Sequence, residues 1–240
     1  MISFIIPTFN EESSIEKTLK SISGFHGAHE IIVSDDESTD KTREIAKQYA
    51  SAVLIHSEKG KKTIGANRNF GARNAQGEYL VFLDSDTYLE SDPDLFLNKA
   101  LQAFEENPSL VALTVFVRVS KTNETFLDKI CFGGVNYLYF ILNNVLHIGG
   151  SSGKFQMIRS NSFREAQGYN EELSAAEDYD LFVRLAKLGK TRVERTLAVY
   201  HSGRRVHAVG WPKLLSLWFL NTLSVTFLKK SMSKNWNKAK

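Results

Sequence analysis

The 240-residue chain predicts an α/β fold, a mainly parallel sheet covered by helices on both faces. Three observations carry that reading. Its first half alternates short β-branched or aromatic runs with amphipathic helical stretches, the signature of parallel strands joined by crossovers. One such run, Tyr79–Leu83, ends on Asp84-Ser85-Asp86, and ligands of open α/β sheets bind beyond the carboxyl ends of strands. The hydrophobic fraction of 42% and charged fraction of 24% are those of a globular chain able to bury a core.

The elements follow in order. Ile2–Pro7 reads as a strand and Ser13–Ser23 as a helix with Ile15, Leu19 and Ile22 on one face. Glu30–Ser34 is a strand. Thr39–Tyr49 is a helix, with Asp40 near its start where the helix dipole favours a carboxylate. Ala52–His56 is a short strand. Thr63–Ala75 is a helix rich in Asn and Arg, closed by Gly77 as a C-cap. After the Tyr79–Leu83 strand come a helix at Pro93–Glu105 and a strand at Leu110–Val119. The pattern then changes. Phe126–Ile148 is aromatic and apolar, and a Gly/Ser loop spans Gly149–Gly153. Phe155–Ile158 is a strand, Glu177–Leu188 a helix with Leu181, Leu185 and Leu188 on one face, and Arg192–Tyr200 a strand. Residues 1–205 read as one catalytic domain and 206–240 as a C-terminal apolar helical appendage.

Bulk properties exclude several classes. A net charge of +3 gives no case for nucleic-acid binding, which needs a concentrated basic patch. Cys131 is the only cysteine, so no disulfide framework and no cysteine-based zinc site is expected. The amino terminus enters a strand without the charged and apolar segments of a secretory signal, which points to a cytoplasmic location.

Chemistry-bearing residues gather at the strand ends. Strand one ends in Pro7-Thr8-Phe9-Asn10-Glu11, and strand two in Ser34-Asp35-Asp36-Glu37-Ser38-Thr39-Asp40. Parallel neighbours would bring these ends beside Asp84 and Asp86. Alternation points those two aspartates the same way, and two hard oxygen donors can hold a divalent cation that in turn holds a diphosphate. A strand-to-turn cap is the plain alternative for Asp84-Ser85-Asp86, and helix capping the alternative for Asp36 to Asp40. Arg68 could offer a planar fork to a phosphate, or be a solvated surface arginine. Asn67 and Asn69 are poor helix formers, which suggests work at a site. Glu177 and Asp178 crowd a helix start. Dipole placement explains them without chemistry; a general base held within hydrogen-bond reach of a hydroxyl explains them with it.

In order and spacing, PTFNE, SDDESTD, NRNFGARNAQGEYLVFLDSD and AEDYDLFVRL resemble the family 2 glycosyltransferases with the GT-A fold, over roughly residues 1–205. The resemblance implies a Rossmann-like sheet and a metal-dependent, inverting transfer of a sugar from a nucleotide-diphosphate donor to an acceptor hydroxyl, on a glycan or a lipid-linked carrier. It assigns Pro7, Phe9, Glu11, Asp35, Asp36, Arg68, Asp84 and Ser85 to the donor. Phe9 stands where the family often has Tyr, keeping stacking but losing a hydroxyl. Asp84 and Asp86 become the DxD motif that binds Mg²⁺ or Mn²⁺, with His201 as a further metal- or phosphate-contacting residue. Asp178 becomes the base, with Glu177 beside it.

Two other functions compete. A sugar-phosphate nucleotidyltransferase would usually carry a Gly-rich loop after strand one, where this chain has Thr8-Phe9-Asn10-Glu11. A non-catalytic nucleotide-sugar-binding partner subunit would tolerate loss of acidic positions that are intact here. The apolar Trp211–Leu228 stretch carries Trp211 and Trp218 and is followed by Lys229, Lys230, Lys234, Lys238 and Lys240. It reads as an amphipathic helix at the cytoplasmic face of an anionic membrane, with a core helix or a homodimer interface as alternatives.

Overall fold

The computed structural model describes residues 1–57 and 62–233; Lys234, Lys238 and Lys240 lie outside the described residues. β1 (Ile2–Thr8) is buried along its whole length, as a central strand covered on both faces must be. α1 (Ile15–Ser23) buries Ile15, Leu19 and Ile22. β2 (His29–Asp35) leads to α2 (Thr42–Ala46), shorter than the expected Thr39–Tyr49. The missing first turn is taken by side chains: Asp40 Oδ1 accepts from Thr42 N at 3.0 Å, and Asp35 Oδ1 from Ser38 N at 2.8 Å. Such local bonds compete with helix. β3 (Ala52–Ile55) is followed by α3 (Ile64–Arg73), whose first turn is capped by Thr63 Oγ1 accepting from Ala66 N at 3.1 Å. α3 presses on the sheet at Gly71, where a Cβ would lie 2.6 Å from Ile5 Cγ2.

β4 (Tyr79–Leu83) and the two-residue β5 (Thr87–Tyr88) flank the acidic turn. α4 (Pro93–Glu106), capped by Asp92, precedes β6 (Leu110–Val119). α5 (Phe126–Phe140) opens with a capping box between Thr125 and Asp128 and runs into a π-helical turn, Ile141–Val145. β7 (Phe155–Arg159), α6 (Ser160–Glu165), α7 (Glu177–Leu185), β8 (Lys190–His201), α8 (Arg204–Val209) and α9 (Trp211–Leu228) complete the chain.

The sheet order is β3-β2-β1-β4-β7-β6-β8-β5. β1 pairs in parallel with β2 and β4, β2 with β3, and β6 with β8, while β7 is antiparallel to both β4 and β6. The sheet is therefore mixed at its centre. After β6 the chain passes through α5 and the Gly149–Gly153 loop and re-enters the sheet from the same end, so β7 must run backwards. That reversal brings the start of β7 to the carboxyl end of β4. Alternate residues feed two cores: Phe4, Ile6, Val81 and Leu83 on one face, Ile5, Ile32, Leu80 and Phe82 on the other.

α9 is built into the larger core by Trp211 and Leu214, so this helix joins the rest of the chain through one face. Trp211 Nε1 donates to Asp128 Oδ1 at 2.7 Å, and its ring meets Phe132 edge-on at 4.8 Å. Phe219, Phe227 and Leu228 of the same helix are exposed. Among the described residues, no helix is long and apolar enough to cross a membrane.

Candidate functional site

The carboxyl ends of β1, β2 and β4, the start of β7 and the chain after β8 surround a cleft of about 1380 Å³. Pro7, Phe9, Glu11 and Asp36 line its strand-one and strand-two side, and Asp84, Ser85 and Asp86 its floor. The grouping expected from parallel neighbours is thus observed for these seven positions. Asn10 and Glu37, in the two loops after β1 and β2, adopt positive φ of 53° and 60°. Ala176, just before α7, does so at 61°. Non-glycine residues held there cost free energy and tend to persist where surrounding structure demands them.

Asp35 and Asp36 have separated. Asp35 is wholly buried and accepts from Thr8 Oγ1 at 2.9 Å and from Ser38 Oγ at 2.5 Å. Its carboxylate is consumed in building the turn, so the expected donor contact at Asp35 gives way to a structural role. Asp36 lines the cleft, and buried His56 places Nδ1 3.4 Å from Asp36 Oδ1. Glu11 Oε2 accepts from Ser14 Oγ at 2.5 Å and from Arg204 Nη2 at 2.6 Å.

Arg68 departs furthest from expectation. It is 1% exposed and does not line the cleft. Its guanidinium instead joins two carboxylates: Nη1 donates to Glu177 Oε1 at 2.8 Å and Nη2 to Asp84 Oδ1 at 2.7 Å. Nη2 also reaches Gly153 O at 3.2 Å, and the group lies 5.1 Å from the Tyr169 ring. Burial alone would weaken its charge, but Tyr169 and the carboxylates of Asp84, Glu177 and Asp178 outweigh that and hold it protonated. Arg68 therefore stands behind Asp84 and bridges it to Glu177.

Asp178 is half-buried, and its Oδ1 accepts from Tyr179 N at 2.8 Å. Burial first, and Glu177 beside it second, push its carboxyl up to about 7, against Arg68 and the backbone N–H. A carboxyl so raised is poised to take a proton near neutral pH.

Asp84 and Asp86 do point the same way, and they converge on a cation: Lys154 Nζ lies 3.1 Å from Asp84 Oδ2 and 2.7 Å from Asp86 Oδ1. Asp86 Oδ2 accepts from Ser202 Oγ at 2.8 Å. Burial opposes ionisation of Asp86, but Lys154, His201 and Ser202 hold its carboxyl far below the usual range. Two hard carboxylate oxygens aimed at one positive charge are of the donor type that a divalent cation takes. His201 does not complete it. Among the described residues, no group of three His, Cys, Asp or Glu could hold an ion together. The His201 ring packs edge-on to Phe132 at 5.0 Å and Nδ1 accepts from Gly203 N at 3.1 Å, which leaves the proton on Nε2. Burial, reinforced by Lys154, pushes its pKa down to about 4.

Lys154, His56 and Arg204 escaped the sequence reading. So did the role of Lys229 and Lys230, which line the cleft. There Ser224 Oγ donates to Lys230 O at 2.6 Å, and Ser231 Oγ to Ala175 O at 2.9 Å, folding the chain back after α9. The signals available were thin: a lysine between a Gly/Ser loop and an apolar strand, and paired arginines after a strand end.

Comparison with known proteins places this geometry. The Campylobacter jejuni GalNAc(5)-diNAcBac-PP-undecaprenol beta-1,3-glucosyltransferase is 28% identical over 210 residues, 85% of this chain and 65% of that protein. The Staphylococcus aureus poly(ribitol-phosphate) beta-N-acetylglucosaminyltransferase TarS is 28% identical over 212 residues, 85% of this chain and 35% of that protein. The chain thus spans less than two thirds of the length of these curated relatives. Among solved structures, a mannosyltransferase from Pyrobaculum calidifontis in complex with GDP-Man and Mn²⁺ superposes with a TM-score of 0.69 at 18% identity, over 95% of this chain and 63% of that one. TarS 1–349 with UDP-GlcNAc gives 0.61 at 22% identity, over 83% and 57%. These likenesses show the same mixed α/β fold. Residues 3–166 match the model of glycosyl transferase family 2, and the chain belongs to that family.

Proposed function

We propose that this chain is an inverting glycosyltransferase that moves a sugar from a nucleotide-diphosphate donor to an acceptor hydroxyl, with Asp178 as general base. One observation carries the reading. A carboxyl raised to about 7 is tied, through Glu177 and the shared Arg68 guanidinium, to the aspartate at the end of β4. Proton acceptor and donor-end carboxylates are thereby fixed relative to one another.

The donor would lie along the cleft. Phe9 offers a face for the nucleobase, Asp36 an acceptor for its N–H groups, and Asp84 and Asp86 face the diphosphate. Asp84 and Asp86 would hold Mg²⁺ or Mn²⁺ once Lys154 has swung aside. When bound, such an ion supplies Lewis-acid stabilisation of the charge that grows on the leaving diphosphate. Arg204 and Arg205, which line the same cleft, add positive charge there. Asp178 takes the acceptor proton as the hydroxyl attacks the anomeric carbon from the side opposite the leaving group, so the anomeric configuration inverts.

The relatives' names favour a polymer or lipid-linked acceptor, and the exposed apolar face of α9 is compatible with a membrane surface holding a lipid-linked one. Flotation with anionic liposomes tests that part: a chain that stays at the bottom of the gradient lacks the membrane contact. For the reaction itself, nucleotide release from candidate sugar donors is measured with and without acceptor. Asp178→Asn should keep donor affinity while transfer falls by about 10²–10⁴-fold. Near-normal turnover would remove Asp178 from the role.

A further inference from the structure

Lys154 is positioned by backbone before any side-chain rotamer is considered. In the β4–β7 ladder Leu83 stands opposite Phe155, and Asp84 N donates to Lys154 O at 3.4 Å. Residues directly opposed on antiparallel strands project to the same face. Lys154 must therefore emerge beside Asp84, at the carboxyl end of β4.

Its ammonium takes the two carboxylate oxygens that face each other, Asp84 Oδ2 and Asp86 Oδ1. The remaining oxygens are engaged from behind, Asp84 Oδ1 by Arg68 and Asp86 Oδ2 by Ser202. A divalent ion held by this pair would have to use the oxygens that Lys154 holds. The lysine side chain is 24% exposed and lines the cleft, and its flexible stem gives the ammonium a way out.

We propose that Lys154 is the exchangeable counter-cation of the Asp84–Asp86 pair, neutralising it in donor-free protein and yielding it to a divalent ion only by moving into the cleft. The inference rests on the proposed donor site. It makes ion and donor binding mutually supportive. The displaced ammonium needs a new anionic partner, and a donor diphosphate in the same cleft is one. By linkage, each ligand then raises the affinity for the other.

The test is Mn²⁺ binding to the full chain without nucleotide, followed by the electron paramagnetic resonance signal of free Mn²⁺. Lys154→Gln should bind Mn²⁺ at least about tenfold more tightly than the unaltered chain, because an ion no longer competes with a tethered ammonium. Lys154→Met, close in shape and uncharged, should do the same, which covers failure of one variant to fold; thermal melts check both. Asp86→Asn in the Lys154→Gln background should lose the gain. Equal or weaker binding by both lysine variants, with clear binding by the unaltered chain, overturns the role of Lys154 and leaves the metal site standing. No Mn²⁺ binding by any of the folded proteins overturns both.

Discussion

Replacing Arg68 by methionine removes one cation from between two carboxylates and leaves a shorter, uncharged, flexible side chain in its place. Arg68 is 1% exposed, and the side chains of its partners Glu177 and Asp84 are 6% and 19% exposed. Asp84 would keep Lys154 and the cleft, but water cannot take over the solvation of the Glu177 charge left behind. Breaking a buried pair by removing one partner costs about 3–5 kcal/mol, chiefly from the stranded charge. For a chain of this size each kcal/mol lowers the melting temperature by about 2–4 °C, so Arg68→Met should melt about 6–20 °C lower. Differential scanning calorimetry at pH 7 measures it. Adding Glu177→Gln should recover part of the loss, since the stranded charge is then gone, and the double-mutant cycle isolates the pair. A single variant melting within 2 °C of the unaltered chain, or a double variant showing pure additivity, would refute a buried bridge at Arg68.

The Asp178 carboxyl, raised from 3.8 to about 7 by burial and by Glu177, favours the folded state while protonated and loses that contribution as pH rises through about 7. Asp178→Asn should accordingly gain melting temperature over the unaltered chain at pH 8 and show little gain below pH 4. Gly153→Ala would put a Cβ 2.5 Å from Arg68 Nη2 and 3.2 Å from Asp178 Oδ2. Overpacking of that kind costs about 1–3 kcal/mol, read from urea unfolding, and should slow transfer as well. Trp211→Phe keeps the ring against Phe132 but loses the hydrogen bond to the Asp128 carboxylate. A bond to a charged group contributes about 1.5–3 kcal/mol, so the urea midpoint should fall accordingly, and an unchanged midpoint would contradict that role.

What could be read in the sequence was what repeats locally. The runs Ile2–Thr8 and Tyr79–Leu83 are buried on both faces, and continuous apolar character announces that arrangement. The acidic strand ends were visible because parallel neighbours align their carboxyl ends. Adjacent carboxylates could not be told apart: Asp35 turns inward to Thr8 and Ser38 while Asp36 faces the cleft, a difference set by one step of alternation and a turn. Arg68 was recognised as significant but not as buried. A guanidinium can reach out or fold back, and only the convergence of Glu177, more than a hundred positions later, decides it. Lys154 was invisible for a stronger reason. Its place depends on β7 running antiparallel to β4, and no local pattern in Phe155–Arg159 states a direction.

The pairing of Glu177 with Asp178 bears on which carboxylate can act. Both begin α7, and both sit near Arg68, whose charge cannot serve every neighbour equally. Its two terminal nitrogens are committed to Glu177 and Asp84. Glu177 is thereby oriented inward, at 4% exposure, by a charge-assisted hydrogen bond. Asp178 accepts from the Tyr179 backbone N–H and feels the negative charge of Glu177 beside it. Two carboxylates one residue apart thus meet different environments, and under the proposed function Glu177 would hold the scaffold while Asp178 exchanges the proton. The same guanidinium holds Asp84, so the end of β4 and the start of α7 share one cation. On this reasoning Arg68→Lys, which keeps the charge but loses the planar fork, should spare much of the fold and still depress transfer, because one ammonium cannot hold both carboxylates in register.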